Sequence, residues 1–204
     1  VEVQPTDVVL DIGTGCGLLP LMLVQKGVAQ VDAVDIDAAS VEEATVNFKA
    51  SQWRDRLNAF CVDVADYQPE KPYDLMVSNP PFFNRYSKCD SERKSRARHN
   101  DVTLSYASLC AVVARLLKPD GRFALVLPLS VSAEFLQVAK QTGLHLHKRL
   151  EIIPMEGKQP NRVNLELGFA KTAEIQGETF VIRDKDNRFT AQYNEFLKDY
   201  YLGI

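Results

Sequence analysis

Asn79-Pro80-Pro81-Phe82 is the segment of this chain whose residue types and order most directly specify chemistry. The apolar run Asp74 to Ser78 delivers it from a strand into a stiff turn, in which two prolines fix φ and remove backbone donors. Hydrogen-bond acceptors are left over. The Asn79 side-chain oxygen and the Pro80 carbonyl can each take one hydrogen from a planar amino group, which frees the nitrogen lone pair for in-line attack on an electrophilic carbon. Phe82 offers a face on which a flat acceptor can stack. A proline turn beside a core phenylalanine is the competing explanation, and a glycine loop earlier in the chain weighs against it.

That loop, Asp11-Ile12-Gly13-Thr14-Gly15-Cys16-Gly17, follows a first strand and opens a first helix, where a backbone without Cβ atoms lets a ligand approach closely. Its G-x-G-x-G spacing differs from the G-x-G-x-x-G of dinucleotide enzymes, so no pyrophosphate is implied. Asp35, followed by Ile36, ends the second strand, where its carboxylate can accept both ribose hydroxyls of an adenosine lying over the glycine turn. Asp63, followed by Val64, ends the third, where a carboxylate can accept from an adenine amino group. Asp37 is better explained as a helix N-cap. Together Asp11, Gly13, Gly15, Gly17, Asp35 and Asp63 resemble the cofactor-binding pattern of class I S-adenosylmethionine methyltransferases, over about residues 7 to 130. The resemblance implies that Asp11 supports the amino-acid end of the donor, and it adds Ile36, Val64 and Asn79 to the donor site. The turn itself resembles the acceptor motif of amino methyltransferases acting on adenine N6, guanine N2, cytosine N4 or glutamine, so it specifies the chemistry and not the substrate.

The elements that must position these residues alternate as in a parallel sheet with crossover helices. Strands are expected at Val8 to Ile12, Val31 to Ile36, Leu57 to Val62, Tyr73 to Ser78 and Arg122 to Leu129. Helices are expected at Leu18 to Lys26, Ala38 to Ser51, Thr103 to Leu117 and Val131 to Thr142, with Lys118-Pro119-Asp120-Gly121 as a helix end and turn. Leu144 to Ile153 and Arg162 to Ala170 suit an antiparallel pair closing the sheet, and Thr179 to Arg183, a further possible strand, precedes a helix from Thr190 to Tyr201. The expectation is one α/β domain over residues 1–204, with the Rossmann-like class I methyltransferase fold: a mostly parallel seven-stranded sheet, an antiparallel last strand and helices on both faces.

A formal charge of −3 and a pI near 5.7 exclude a protein that coats nucleic acid non-specifically, so a nucleic-acid substrate needs a local basic patch. Residues 85–99 supply one, with six basic side chains beside the acceptor turn that can contact phosphates while an extruded base is received next to the donor. Cys16, Cys61, Cys89 and Cys110 are scattered without metal-binding spacing and read as reduced thiols of a cytoplasmic protein. His145 and His147 have no third ligand nearby, so no metal is expected, and neither a membrane span nor a signal peptide is expected from the sequence as read.

Over its whole length the chain resembles the bacterial tRNA(Val) adenine N6-methyltransferase family, which acts beside the anticodon. The resemblance is carried by Pro81-Phe82-Phe83, Arg98-His99, the loop Glu156 to Arg162, and Tyr193-x-x-Phe196-Leu197-x-x-Tyr200-Tyr201-Leu202. It implies catalytic roles for Asn79, Pro80 and Phe82, and substrate contacts for Pro81, Phe83, Arg98, Lys158 and Arg162, with tRNA as partner and S-adenosylmethionine as cofactor. Members of that family carry a segment before the first strand that helps cover donor and substrate, whereas only Val1 to Asp7 stands there in this chain. Guanine N2 methylation of ribosomal RNA, glutamine methylation of a protein, and a binding module without catalysis are the alternatives.

Overall fold

A computed structural model describes residues 1–80 and 104–200. Its first half is built from short runs that become strands, three of them largely buried and the edge strand β3 mostly exposed. These are β1 (Val8–Ile12), β2 (Gln30–Asp35), β3 (Leu57–Cys61) and β4 (Tyr73–Ser78), separated by α1 (Leu18–Gln25) and α2 (Ala38–Ala50). Asp37 caps α2 by accepting from the Ser40 amide, as expected of it. After the undescribed residues come α3 (Tyr106–Leu116), β5 (Leu117–Pro128), α4 (Leu129–Gln141), β6 (His145–Ile153), β7 (Arg162–Gly168), β8 (Gln176–Val181) and α5 (Ala191–Leu197).

The strands form one sheet in the order β3-β2-β1-β4-β5-β7-β6-β8. Only β7 runs against its neighbours, pairing antiparallel with both β5 and β6, while β8 adds to β6 in parallel. Among the described residues the expected seven strands are therefore eight, and the pair that was to close the sheet is covered on its outer edge by β8, which starts three residues before the run Thr179 to Arg183.

Alternation along the strands divides the core. Leu10, Met76, Phe123, Leu125 and Leu127 pack under α3 and α4 with Val113 and Phe135. Val9, Val31, Leu75 and Val77 pack under α1 and α2 with Leu23, Val24 and Phe48 on the opposite face. Both faces of the sheet thus carry helices, as a parallel sheet requires.

One expected boundary moves. The turn assigned to Lys118–Gly121 lies inside β5, because Tyr73 pairs with Leu117 and Leu75 with Arg122, leaving those four residues opposite the single residue Asp74. Lys118 Nζ meets Asp74 Oδ1 at 2.6 Å, and Asp74 Oδ2 accepts from the Val8 amide. Burial pushes the Asp74 carboxyl up, but these hydrogen bonds outweigh it and hold the carboxyl below its usual range. Beside it, Asp7 is buried and meets Arg122 Nη2 at 2.6 Å. The amino end of the sheet is thereby locked, and the carboxyl end is left to the loops.

Candidate active site

Ile12 pairs with Ser78, so the chain leaves β1 at Gly13 and β4 at Asn79 side by side. The Ser78 hydroxyl donates to the Ile12 carbonyl at 2.9 Å and fastens the two exits together. Donor loop and acceptor turn therefore start from adjacent strands, about 4.8 Å apart. Asn79 is exposed and Pro80 half-buried, while Pro81, Phe82, Phe83, the basic loop and Arg98 lie outside the described residues.

Gly13, Gly15 and Gly17 all adopt positive φ, which explains the residue type at each. They differ in what surrounds them. A Cβ at Gly13 or Gly15 would meet nothing within 4 Å, whereas one at Gly17 would strike the Phe48 ring at 2.5 Å. Gly13 and Gly15 thus border open space, and Gly17 lets α1 pack on α2, so any contact it makes with a cofactor comes from its backbone.

Asp35 reaches back across the loop: its Oδ2 accepts from the Gly15 amide at 2.9 Å and its Oδ1 from the Asp37 amide at 3.0 Å. Each carboxylate oxygen keeps acceptor capacity, which suits it to a pair of hydroxyls. Ile36 beside it is 58% exposed, an apolar surface at the rim fit for a flat ring. Asp63 Oδ1 accepts from the Ala65 amide, and the following Val64 is buried.

Asp11 is the most unusual group of the set. It is fully buried, and neither its two oxygens nor the buried Thr14 hydroxyl has a hydrogen-bond partner of good geometry among the described residues. Burial pushes its carboxyl up to about 7, the nearby Thr14 hydroxyl pulls it partly back, and the Asp35 charge adds to the rise. Orphaned buried acceptors under an open glycine cradle are what a bound ligand with N–H donors would satisfy. The observation fits an S-adenosylmethionine amino-acid moiety at this spot.

Two contributors have no local signature in the sequence. Thr14 is visible only once its burial beside Asp11 is known. Arg115, from the last turn of α3, donates to the Tyr67, Val64 and Ala65 carbonyls and holds the loop that carries Asp63. Those contacts span about fifty residues, so no spacing announces them.

Lys158 and Arg162 are exposed, and Arg162 stands at the same carboxyl end of the sheet as the donor loop. Arg162 pairs with Pro128, three residues beyond Leu125, the partner of Ser78. Arg162 therefore lies beyond the level of Ser78 toward the carboxyl end of the sheet, two strands from β4. His147 Nε2 sits 2.8 Å from the Ala170 carbonyl, at the point where the pairing of β6 with β7 shifts register. Cys16 and Cys61 are exposed and Cys110 is buried, all as free thiols. No helix among the described residues is long and apolar enough to cross a membrane.

Comparison with known proteins supplies the family. Residues 1–140 match the methyltransferase small domain. Among solved structures, a predicted O-methyltransferase from Agrobacterium tumefaciens superposes with a TM-score of 0.70 at 14% identity, covering 98% of this chain and 89% of that one. The glycopeptide N-methyltransferase MtfA, solved in complex with S-adenosylmethionine, superposes with a TM-score of 0.58 at 14% identity over 80% of this chain and 82% of its own. These two likenesses establish the fold. Curated relatives are nearer in sequence. The tRNA1(Val) (adenine(37)-N6)-methyltransferase of Pectobacterium carotovorum is 36% identical over 95% of this chain and 79% of its own length. The enzyme of the same name from Bacteroides thetaiotaomicron is 36% identical over 100% of this chain and 86% of its own. With that identity sustained from end to end, this chain belongs to the methyltransferase small domain family, among the tRNA1(Val) (adenine(37)-N6)-methyltransferases.

Proposed function

We propose that this protein transfers a methyl group to the exocyclic N6 amine of an adenine in tRNA, at position 37 beside the anticodon of tRNA(Val). The observation that carries the reading is the adjacency of Gly13 and Asn79 at the ends of paired strands, which sets an amine-holding turn against a donor cradle. Similarity over 95% or more of this chain to enzymes named for adenine-37 methylation supports the choice of substrate.

The cofactor is S-adenosylmethionine, which when bound supplies a methyl group activated on a sulfonium. In this reading Asp11 and Thr14 receive its amino-acid end, Gly13 and Gly15 leave room for it, Asp35 accepts its ribose hydroxyls, and Ile36, Asp63 and Val64 border its adenine. Asn79 and Pro80 accept the two hydrogens of the target amine and hold its lone pair out of conjugation. Phe82 and its proline and phenylalanine neighbours Pro81 and Phe83 stack the base, which must first leave its own stack. No separate general base is required, because the amine becomes acidic as the methyl arrives. Arg98, Lys158 and Arg162 hold the RNA, and the enzyme works in the cytoplasm on tRNA without a metal.

Methyl transfer to unmodified total tRNA, with the product nucleoside identified and its position mapped, tests the reading. N6-methyladenosine at position 37 is the expected product. N2-methylguanosine, or labelled transfer to a protein in place of RNA, would overturn it.

A further inference from the structure

At the far edge of the sheet, between β8 and α5, the chain makes a tight hairpin that the reaction itself does not use. Arg183 bridges Phe189, the Asp184 carbonyl accepts from the Asn187 amide, and Asn187 sits at φ 63°. The Asp184 carboxylate is tied internally, accepting from the amides of Asp186 and Arg188. The hairpin is docked on the β6–β7 loop through the Glu156 amide, which donates to the Arg183 carbonyl at 2.8 Å.

On this frame the half-buried Arg183 side chain is held by two contacts. Its guanidinium lies 4.1 Å from the centroid of the Phe189 ring, and Nη1 donates to the Asn187 carbonyl at 2.7 Å. Phe189 in turn stacks on Tyr193, with centroids 4.6 Å apart and planes 14° from parallel. A guanidinium held between an aromatic ring and a carbonyl loses less freedom when it forms a further bidentate contact, and the fork of donors it keeps matches a phosphate. Arg188 is exposed next to it. Lys185 is exposed too, paired loosely with Glu156 at 3.5 Å. With Lys158 and Arg162 this part of the edge holds five cations against three acids, in a chain whose formal charge is −3.

The location follows from strand register. Val181 pairs with Ile153 at the carboxyl end of the sheet, the end from which Asn79 emerges. Four strand spacings separate β4 from β8, about 19 Å. An RNA strand covers that distance in on the order of six stacked nucleotides.

We propose that the Arg183–Phe189 hairpin is a second RNA contact, gripping the sugar-phosphate backbone of the substrate several nucleotides from the reacting base. The inference rests on the tRNA reading above and adds to it: the acceptor turn selects the amine, and this stacked arginine fixes where along the RNA the turn lands. Phosphate contact is favoured over base stacking because Phe189 already has neighbours, Arg183 and Tyr193, against its ring.

The test compares wild-type protein with Arg183→Ala, Arg183→Lys and Arg188→Glu, measuring steady-state methylation of tRNA, donor binding by calorimetry, and tRNA binding across a salt series. Arg183→Ala is expected to raise KM for tRNA about tenfold with kcat and donor affinity unchanged, and to reduce the slope of log affinity against log salt by about one. Arg183→Lys keeps the charge without the planar stack and recovers only part of the loss. Arg188→Glu, whose side chain is exposed and supports nothing in the hairpin, reports on the same surface if Arg183→Ala unfolds, and it should raise KM by at least as much. Wild-type KM and salt slope in Arg188→Glu and in folded Arg183→Ala, with wild-type protein methylating tRNA, would overturn the hairpin contact alone. Absence of tRNA methylation by the wild-type protein would overturn the substrate reading and this inference with it.

Discussion

At the amino end of the sheet Asp7 and Asp74 each meet a cation at 2.6 Å, Arg122 and Lys118, whereas at the carboxyl end Asp11, Asp35 and Asp63 meet none among the described residues. The strands are the same ones: β1 runs from beside Asp7 to Asp11, and β4 from Asp74 to the exit at Asn79. Carboxylates at one end close the structure on itself. At the other they are left with acceptor capacity, and in the case of Asp11 with two buried oxygens that have no donor of good geometry among the described residues. An unpaired buried acid is costly in folding and is retained where a ligand completes it. Polarity of the sheet thus separates stability from binding.

That separation can be broken experimentally. Asn79→Ala, at the carboxyl end, should lower methyl transfer by about a thousandfold in single-turnover assays while donor affinity survives, because the lost contact orients the acceptor. Unchanged turnover would remove Asn79 from the mechanism. Asp11 gives the next largest effect. Its carboxyl is pushed up to about 7 by burial, so the folded protein keeps a proton that the unfolded chain loses near pH 4. Stability of the donor-free protein should therefore fall by a few kcal/mol as pH rises from about 4 to about 7 and level off above, on the scale of such a shift. Asp11→Asn should flatten that part of the denaturation profile, and a profile identical to wild type would show that the carboxyl ionises normally.

At the amino end the signs reverse. Asp7→Ala leaves Arg122 without its carboxylate partner and should cost about 3 kcal/mol of unfolding free energy, with donor affinity and kcat per folded molecule unaltered. A loss of donor binding in that variant would erase the contrast between the two ends. Asp35→Ala should instead weaken donor binding about a hundredfold by calorimetry, the scale of two charge-assisted hydrogen bonds, and move the melting temperature less than Asp7→Ala does.

Most of this arrangement was legible in the sequence where local chemistry decides it. Strands β1 and β4 and the cap at Asp37 fall where apolar runs and capping rules put them, because a strand buried on both faces is a short continuous apolar run. The start of β5 was misplaced because Lys118-Pro119-Asp120-Gly121 has the composition of a turn, and only pairing with β4 carries the strand through it. β8 is weak in sequence for a similar reason: Gln176, Gly177, Glu178 and Thr179 are exposed on an edge, so no apolar pattern marks them. At the site, the acids could be found from their positions after strands. Burial of Asp11, the part played by Thr14 and the grip of Arg115 on the Asp63 loop depend on contacts distant in sequence, which composition and spacing do not encode.

Gly17 makes the cradle uneven in the face of mutation. Gly13 and Gly15 border open space, so a residue that tolerates left-handed backbone, such as asparagine, costs the fold little beyond strain and is opposed there by the donor that the space admits. At Gly17 the same replacement also collides with Phe48, and trimming Phe48 would relieve the collision but not the strain. Drift at Gly17 is thus conditional on a prior change in α2, whereas Phe48 can vary while the glycine stays. The order in which substitutions can accumulate is set by this one contact.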